Sequence, residues 1–453
     1  MKNKMRFVLG IVLLSLFALT LSIQSAAAAS EWTQIYGQSG DNEIYSVVQT
    51  SDGGYALGGF TNSSGAGGYD FWLIKTDVNG SMLWSQTYGG AGDDYAYSVI
   101  QTSDGGYALA GSTDSFGPGE TNAYLVKTNA NGNMIWSQTY GGRATNEATA
   151  VIQTSDGGYA LAGYTDSYGA GSYDFWLIKT DANGNMLWNQ TYGGPGDDEA
   201  YSIIQTRDGG YAIAGYTNSY GSALYSSWLV KTDSLGNPEW NQTYGTAQDN
   251  EASSVIQTSD GGYAIAGYTN NTSSSTYYFW LTKTDANGTT LWSQTYGDST
   301  GDQFGQAVVQ TSDGGYAIAG PTDSYGAGDF DFWLVKTDSS GNMQWNKTYG
   351  GSGDDEPYAL IITSDGGFAL AGFTSSFGAP IYDGWLVKTD SSGNTVISQS
   401  SSSLPVSLQT IAIIIVVVII VILVAALVLR RGRPRSDANS SSSANPPAPT
   451  SPI

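Results

Sequence analysis

A four-residue turn, Ser-Asp-Gly-Gly, recurs through this chain at a nearly fixed interval and narrows the folds open to it. Its aspartates are Asp52, Asp104, Asp156, Asp208, Asp260, Asp313 and Asp365, spaced by 52 residues with a single 53, and Arg207 replaces the serine in one copy. A period of this length marks repeated units that bury their apolar faces only against one another. Each unit carries four strand signals. In the third copy these are Ala150 to Thr154 (A), Tyr159 to Thr165 (B), Phe175 to Thr180 (C) and Met186 to Tyr192 (D). The Asp-Gly and Asn-Gly dipeptides between A and B and between C and D supply the positive φ angles of tight hairpins. Four antiparallel strands in about 50 residues make the blade of a propeller, so seven copies predict an all-β, seven-bladed β-propeller.

The tryptophans predict how the ring closes. Strand D carries Trp32, Trp84, Trp136, Trp188, Trp240, Trp292 and Trp345; strand C carries the other six, with Tyr124 in the seventh place. Large rings in such registers are expected to be structural, filling the space between blades. The strand around Trp32 precedes any A, B or C strand, while Asn394 to Ser398 of the last copy holds no tryptophan. The N-terminal strand is therefore expected to complete the last blade and remove an exposed edge. A linear solenoid would need caps, and neither end offers one. Small residues on strand B, such as Ala160-Leu161-Ala162-Gly163, suggest that this strand lies where the blades converge. One lysine per strand C, from Lys75 to Lys388, reads as an architectural partner for a carboxylate or carbonyl.

The hairpin Lys179-Thr180-Asp181-Ala182-Asn183-Gly184-Asn185-Met186-Leu187-Trp188 resembles the tryptophan-docking hairpin of quinoprotein-like β-propellers, with one residue fewer between Asp and Gly. It is also similar to the repetitive propellers of archaeal and bacterial surface proteins. The resemblance implies the fold; it does not imply a bound quinone.

The two ends predict export and anchoring. Residues 1–29 combine Lys2, Lys4 and Arg6 with an apolar run and Ala27-Ala28-Ala29, the pattern of a signal peptide. Residues 30–390 hold the propeller and 391–410 a Ser-rich spacer. Residues 411–429 are nineteen unbroken apolar residues, enough for a transmembrane helix. Arginines 430, 431, 433 and 435 then place the 430–453 tail, expected to be disordered, in the cytoplasm. The expected location is the cell membrane, single-pass, with the propeller outside.

Composition removes whole classes of chemistry. The chain has no histidine and no cysteine, which excludes Ser-His-Asp and Cys-His catalysis and thiolate or imidazole metal sites. Seven of its 17 basic residues and one of its 40 acidic residues lie outside 30–404, leaving that segment 10 basic against 39 acidic side chains. Nucleic acid is a poor partner for such a surface. No catalytic set, metal site or cofactor is expected; a structural calcium ion is the one such group that the oxygen-rich loops would suit.

Carboxylates and aromatic rings remain. The D–A and B–C loops share one rim, with Asp93, Asp94, Asp197, Asp198, Asp302, Asp354 and Asp355 in the former and Tyr168, Tyr220 and Tyr325 in the latter. These ten are the candidate ligand-binding residues for a carbohydrate or protein, since rings stack and carboxylates accept hydrogen bonds. Against this, loop aspartates commonly cap their own backbone. Departures from the repeat are separate leads: Arg143, Thr145-Asn146-Glu147, and the insertion near Asp298 with Phe304 and Gln306. Sequons mark Asn62, Asn79, Asn189, Asn241, Asn270, Asn271, Asn287 and Asn346 for N-glycosylation. The function expected is binding, adhesion or envelope structure at the cell surface. A carboxylate-based polysaccharide-active enzyme is the alternative, and a quinoprotein-like oxidoreductase is a more remote one.

Overall fold

The structure, a computed structural model, describes residues 31–221, 224–245, 249–270, 276–378 and 381–395. The signal segment, the apolar run 411–429, the tail, most of the spacer and Asn271 lie outside these residues. Among the described residues no helix is long and apolar enough to cross a membrane.

Among the described residues, twenty-eight strands, numbered in chain order, form seven four-stranded antiparallel sheets. The first blade is β2 (Asn42–Gln49), β3 (Tyr55–Thr61), β4 (Asp70–Thr76) and β5 (Met82–Tyr88), in that order from the centre outward. The last is β26 (Asp355–Ile362), β27 (Phe368–Thr374) and β28 (Asp383–Thr389), completed by β1 (Trp32–Tyr36). In this closing pair Trp32 lies opposite Lys388 and Tyr36 opposite Gly384. In the first blade Trp84 lies opposite Lys75 in the same way. The N-terminal strand thus takes the register of an ordinary strand D.

The repeated turn explains its own residues. In the third blade Asp156 Oδ1 accepts hydrogen bonds from the Thr154 hydroxyl (2.6 Å) and the Gly158 N–H (3.0 Å). Gly157 sits at φ 85°, a conformation that side chains disfavour. At Gly158 a Cβ would lie 2.1 Å from Thr180 O and 2.8 Å from Lys179 Nζ. The lysine crosses there, 2.8 Å from Asp156 and 2.8 Å from the Thr180 carbonyl it donates to. The same Lys–Asp ion pair recurs in all seven blades, so the strand-C lysine serves a carboxylate and a carbonyl together.

Strands B and C are buried along nearly their whole length, and strand D is largely exposed. Its tryptophan is half-buried in six blades and docks on the following blade. Trp188 packs edge-on to Tyr211 with centroids 6.1 Å apart, against the turn at Gly236, whose carbonyl accepts the Tyr192 hydroxyl at 2.6 Å. The strand-C rings, such as Trp176 and Trp333, are fully buried between blades.

Two expectations need correction. The strand nearest the axis is A, not B: Ser46 Oγ accepts from Val99 N, and Ser98 Oγ from Val151 N, linking successive A strands around the centre. Strand A is also longer than expected, Asn146–Gln153 in the third blade, with an irregularity between Ala148 and Ala150. The small residue on strand B answers that bulge, because a Cβ on Gly163 would lie 1.9 Å from the Glu147 carbonyl oxygen.

Candidate functional site

The bulge decides what reaches the axis. Burial along β2 runs Asn42 buried, Glu43 half-buried, Ile44 buried, then Tyr45 and Ser46 half-buried before Val47 is buried again. One extra residue resets the two-residue alternation. The second and fourth positions of strand A are thereby left toward the centre of the ring. Around the ring the second position holds Glu43, Tyr95, Glu147, Glu199, Glu251 and Glu356, and the fourth Tyr45, Tyr97, Thr149, Tyr201, Ser253 and Tyr358; in the sixth blade strand A starts only at Ala307, and Phe304 and Gln306 stand at the equivalent places just before it.

A cavity of about 420 Å³ opens there. Glu147, Glu199 and Glu251 from three consecutive blades line it, with Tyr45, Tyr97, Tyr201 and Tyr358, Tyr164 and Tyr268 of strands B, and Thr149, Ser253 and Gln306. Tyr45 and Tyr358 stack with centroids 4.2 Å apart and planes 6° from parallel. The hydroxyls serve the carboxylates: Tyr45 donates to Glu43 at 2.9 Å, Tyr201 to Glu199 at 2.9 Å and Tyr358 to Glu356 at 3.4 Å. Tyr97 and Tyr164 do the same for Glu147, and Tyr268 for Glu251.

Burial pushes the Glu43 and Glu356 carboxyls up to about 7, with the charges of Asp41 and Asp354 respectively adding to the effect. Burial also raises Glu147, Glu199 and Glu251 against the opposing tyrosine hydroxyls. None of the described residues lining the cavity is basic. On this rim the D–A and B–C loops contain a single basic residue, the exposed Arg143.

The acid ring is broken twice. Where Tyr95 replaces glutamate, it forms an aromatic triad with Phe60 and Tyr69, centroids 4.9 to 5.2 Å apart. Phe304 does the same with Tyr268 and Tyr277, at 5.0 to 5.5 Å. The Tyr69 hydroxyl donates to Asp41 and that of Tyr277 to Asp249. The axial face thus carries an arc of three acids and an arc of two, separated by two aromatic clusters.

None of the ten residues expected to bind a ligand lines this cavity. Asp94, Asp198 and Asp355 are fully buried at the start of strand A, not displayed on a loop. Each caps its own D–A loop: Asp198 accepts from Gly194 N (2.8 Å) and the Ser219 hydroxyl (2.7 Å), and Asp94 and Asp355 are held alike. Asp93, Asp197, Asp302 and Asp354 are half-buried and tie the D–A loops to their neighbours. Asp93 and Asp302 accept from Tyr69 N and Tyr277 N, Asp197 N donates to Asn218, and the Asp354 carbonyl accepts from Ser375 N. Tyr168, Tyr220 and Tyr325 pack on the strand-C rings Trp176, Trp228 and Trp333 at 5.2 to 5.8 Å, away from the axis.

Among the sequons, Asn62, Asn79, Asn189, Asn241, Asn287 and Asn346 are exposed and Asn270 is half-buried. Three of these asparagines have a second task, since Asn189, Asn241 and Asn346 accept the indole N–H of the strand-C tryptophan beside them at 3.1 to 3.2 Å.

The chain is 25% identical over 290 residues to the regulatory protein FlaEY of Caulobacter vibrioides, a match that spans 56% of this chain and 29% of FlaEY. Among solved structures it is similar to Sqt1 from Chaetomium thermophilum, at 12% identity and a TM-score of 0.45, over 76% of this chain and 82% of that one. Sqt1 bound to the N-terminus of ribosomal protein L10 gives 12% and 0.43, over 74% and 96%. YCF48 from Cyanidioschyzon merolae gives 11% and 0.41, over 78% and 98%. No family model matches the chain.

Proposed function

We propose that this chain is a binding module of the cell surface, exported and held by the apolar run 411–429, which recognises its ligand through the axial face of the propeller. The observation that carries the reading is the convergence of half-buried glutamates and tyrosines on one cavity, distributed unevenly in a fold that is otherwise sevenfold. Architecture explains what repeats in every blade; it does not explain two acid arcs divided by aromatic clusters. The anchored location rests on the sequence pattern at the two ends. The likeness to tryptophan-docking propellers is supported by the seating of each strand-D indole on the next blade's turn.

Binding is favoured over catalysis by the same geometry. A glycosidase needs two carboxyl groups in unlike environments, one acid and one base or nucleophile. The glutamates of the arc share one environment, each raised by burial and each hydrogen-bonded to tyrosine. The test is a glycan and protein-ligand array probed with the purified protein and with Ser253→Trp, which fills the cavity. Ligands retained at full strength by the variant would move recognition to another surface and overturn this reading.

A further inference from the structure

We propose that the axial cavity takes a ligand bearing an ammonium group, seated among Glu147, Glu199 and Glu251 with its carbon stem against the tyrosine rings. The inference rests on the axial-face reading above and gives that site its ligand class. The tyrosine hydroxyls of the wall donate to the glutamates, so their protons are already committed. A carboxylate offers about four lone-pair directions, and one or two tyrosines leave acceptor capacity on each. The wall therefore presents acceptors with few donors to match.

That polarity selects among ligand classes. An anion would find side-chain donors only in Ser253 and Gln306, beside three carboxyl groups that compete for the same space. A sugar hydroxyl both gives and takes, so half of its hydrogen-bonding capacity would be unmet in a partly buried site, at a cost. An ammonium group only donates, and it brings the charge that the buried carboxylates lack. Aromatic rings beside it add an attraction of their own for a cation. A bare metal ion is disfavoured by spacing, because among the described residues no three carboxylates lie close enough together to hold one. The volume of about 420 Å³ suits a small chain rather than a folded surface.

The test is calorimetric titration of the full-length protein in detergent micelles with spermidine as the probe, cellotriose and calcium chloride being run in parallel. Glu199→Gln/Glu251→Gln removes two charges from the cavity wall; Asp93→Asn/Asp197→Asn removes two from the outer loops as a matched control. We expect one saturable spermidine site, weakened at least tenfold in the glutamate variant and within twofold of wild type in the control. Absent spermidine binding, or equal losses in both variants, would overturn the proposal, the latter showing attraction to the acidic surface as a whole. Cellotriose or calcium binding lost in the glutamate variant without spermidine binding would replace the ligand class and leave the axial site standing. Loss of all three probes would remove both readings. Thermal melting of each variant checks that the ring is intact.

Discussion

Glu43 and Glu356 sit in adjacent blades beside the stacked Tyr45 and Tyr358, and their carboxyls are held at about 7 by burial. An unfolded chain ionises its glutamates near 4.3. Between these values the folded state holds protons that the unfolded state has lost, so stability falls as the pH rises through this window. Glu43→Gln/Glu356→Gln should therefore melt like wild type at pH 4 and measurably above it at pH 8, by differential scanning calorimetry. Equal melting curves at both values would place those carboxyls in water. The Asp–Lys pairs act at the other end of the scale. Hydrogen bonds from Thr50, Lys75 and Gly54 outweigh the effect of burial and hold Asp52 at about 2, so its contribution is present above about 4 and is lost on further acidification. The two tryptophan registers should differ as well. Trp176→Ala empties a buried site and should cost about 3–5 kcal/mol. Trp188, half-exposed on strand D, should cost less, about 1–3 kcal/mol. Chemical denaturation of the two variants gives the order, and its reversal would show that docking on the Gly236 turn outweighs burial.

At the level of elements, what the sequence disclosed depended on periodicity. Strands B and D of the third blade begin and end where their alternation predicts, Tyr159–Thr165 and Met186–Tyr192. Strand A did not disclose its start. Its bulge breaks the alternation after Ala148, so Asn146 to Thr149 resembles the end of a loop. This is why the sequence pattern points to the aspartates, Asp198 next to Glu199 and Asp355 next to Glu356, and not to the axial glutamates themselves. A usable signal existed in the glutamate found at one place in five of the seven copies, and in Phe304 and Gln306, whose departure from the repeat lies at the axial ring. The closing strand was legible because its tryptophan completed a register. A chain beginning after Gly40 loses β1, exposes the edge of β28 and removes the Tyr36 hydroxyl from the Gly80 carbonyl. Its thermal transition should broaden and shift down, and a peptide of residues 31–40 should partly restore it. A transition identical to that of the intact protein would show that closure adds nothing to cooperativity.

On the scale of the whole molecule, charge is divided between the two rims. The seven strand-C lysines are consumed by the aspartates of the A–B turns, which leaves the opposite rim with its acids and with Arg143 alone among basic loop residues. If the anchor proposed for 411–429 holds, protease added to intact cells should release one large fragment ending within 391–410 and leave 430–453 protected. Digestion of the tail, or the full propeller in the medium without protease, would refute it. The clasp between β1 and β28 has a separate consequence. Its pairing, tryptophan opposite lysine, is the one that every blade uses, so the fastening carries no address and cannot count. A chain shortened by one 52-residue period would still end in two matching halves of a blade. Whether it sealed on itself would be left to the wedge angle between blades, and where six wedges failed to meet, the open half-blade would accept the strand of a second chain instead.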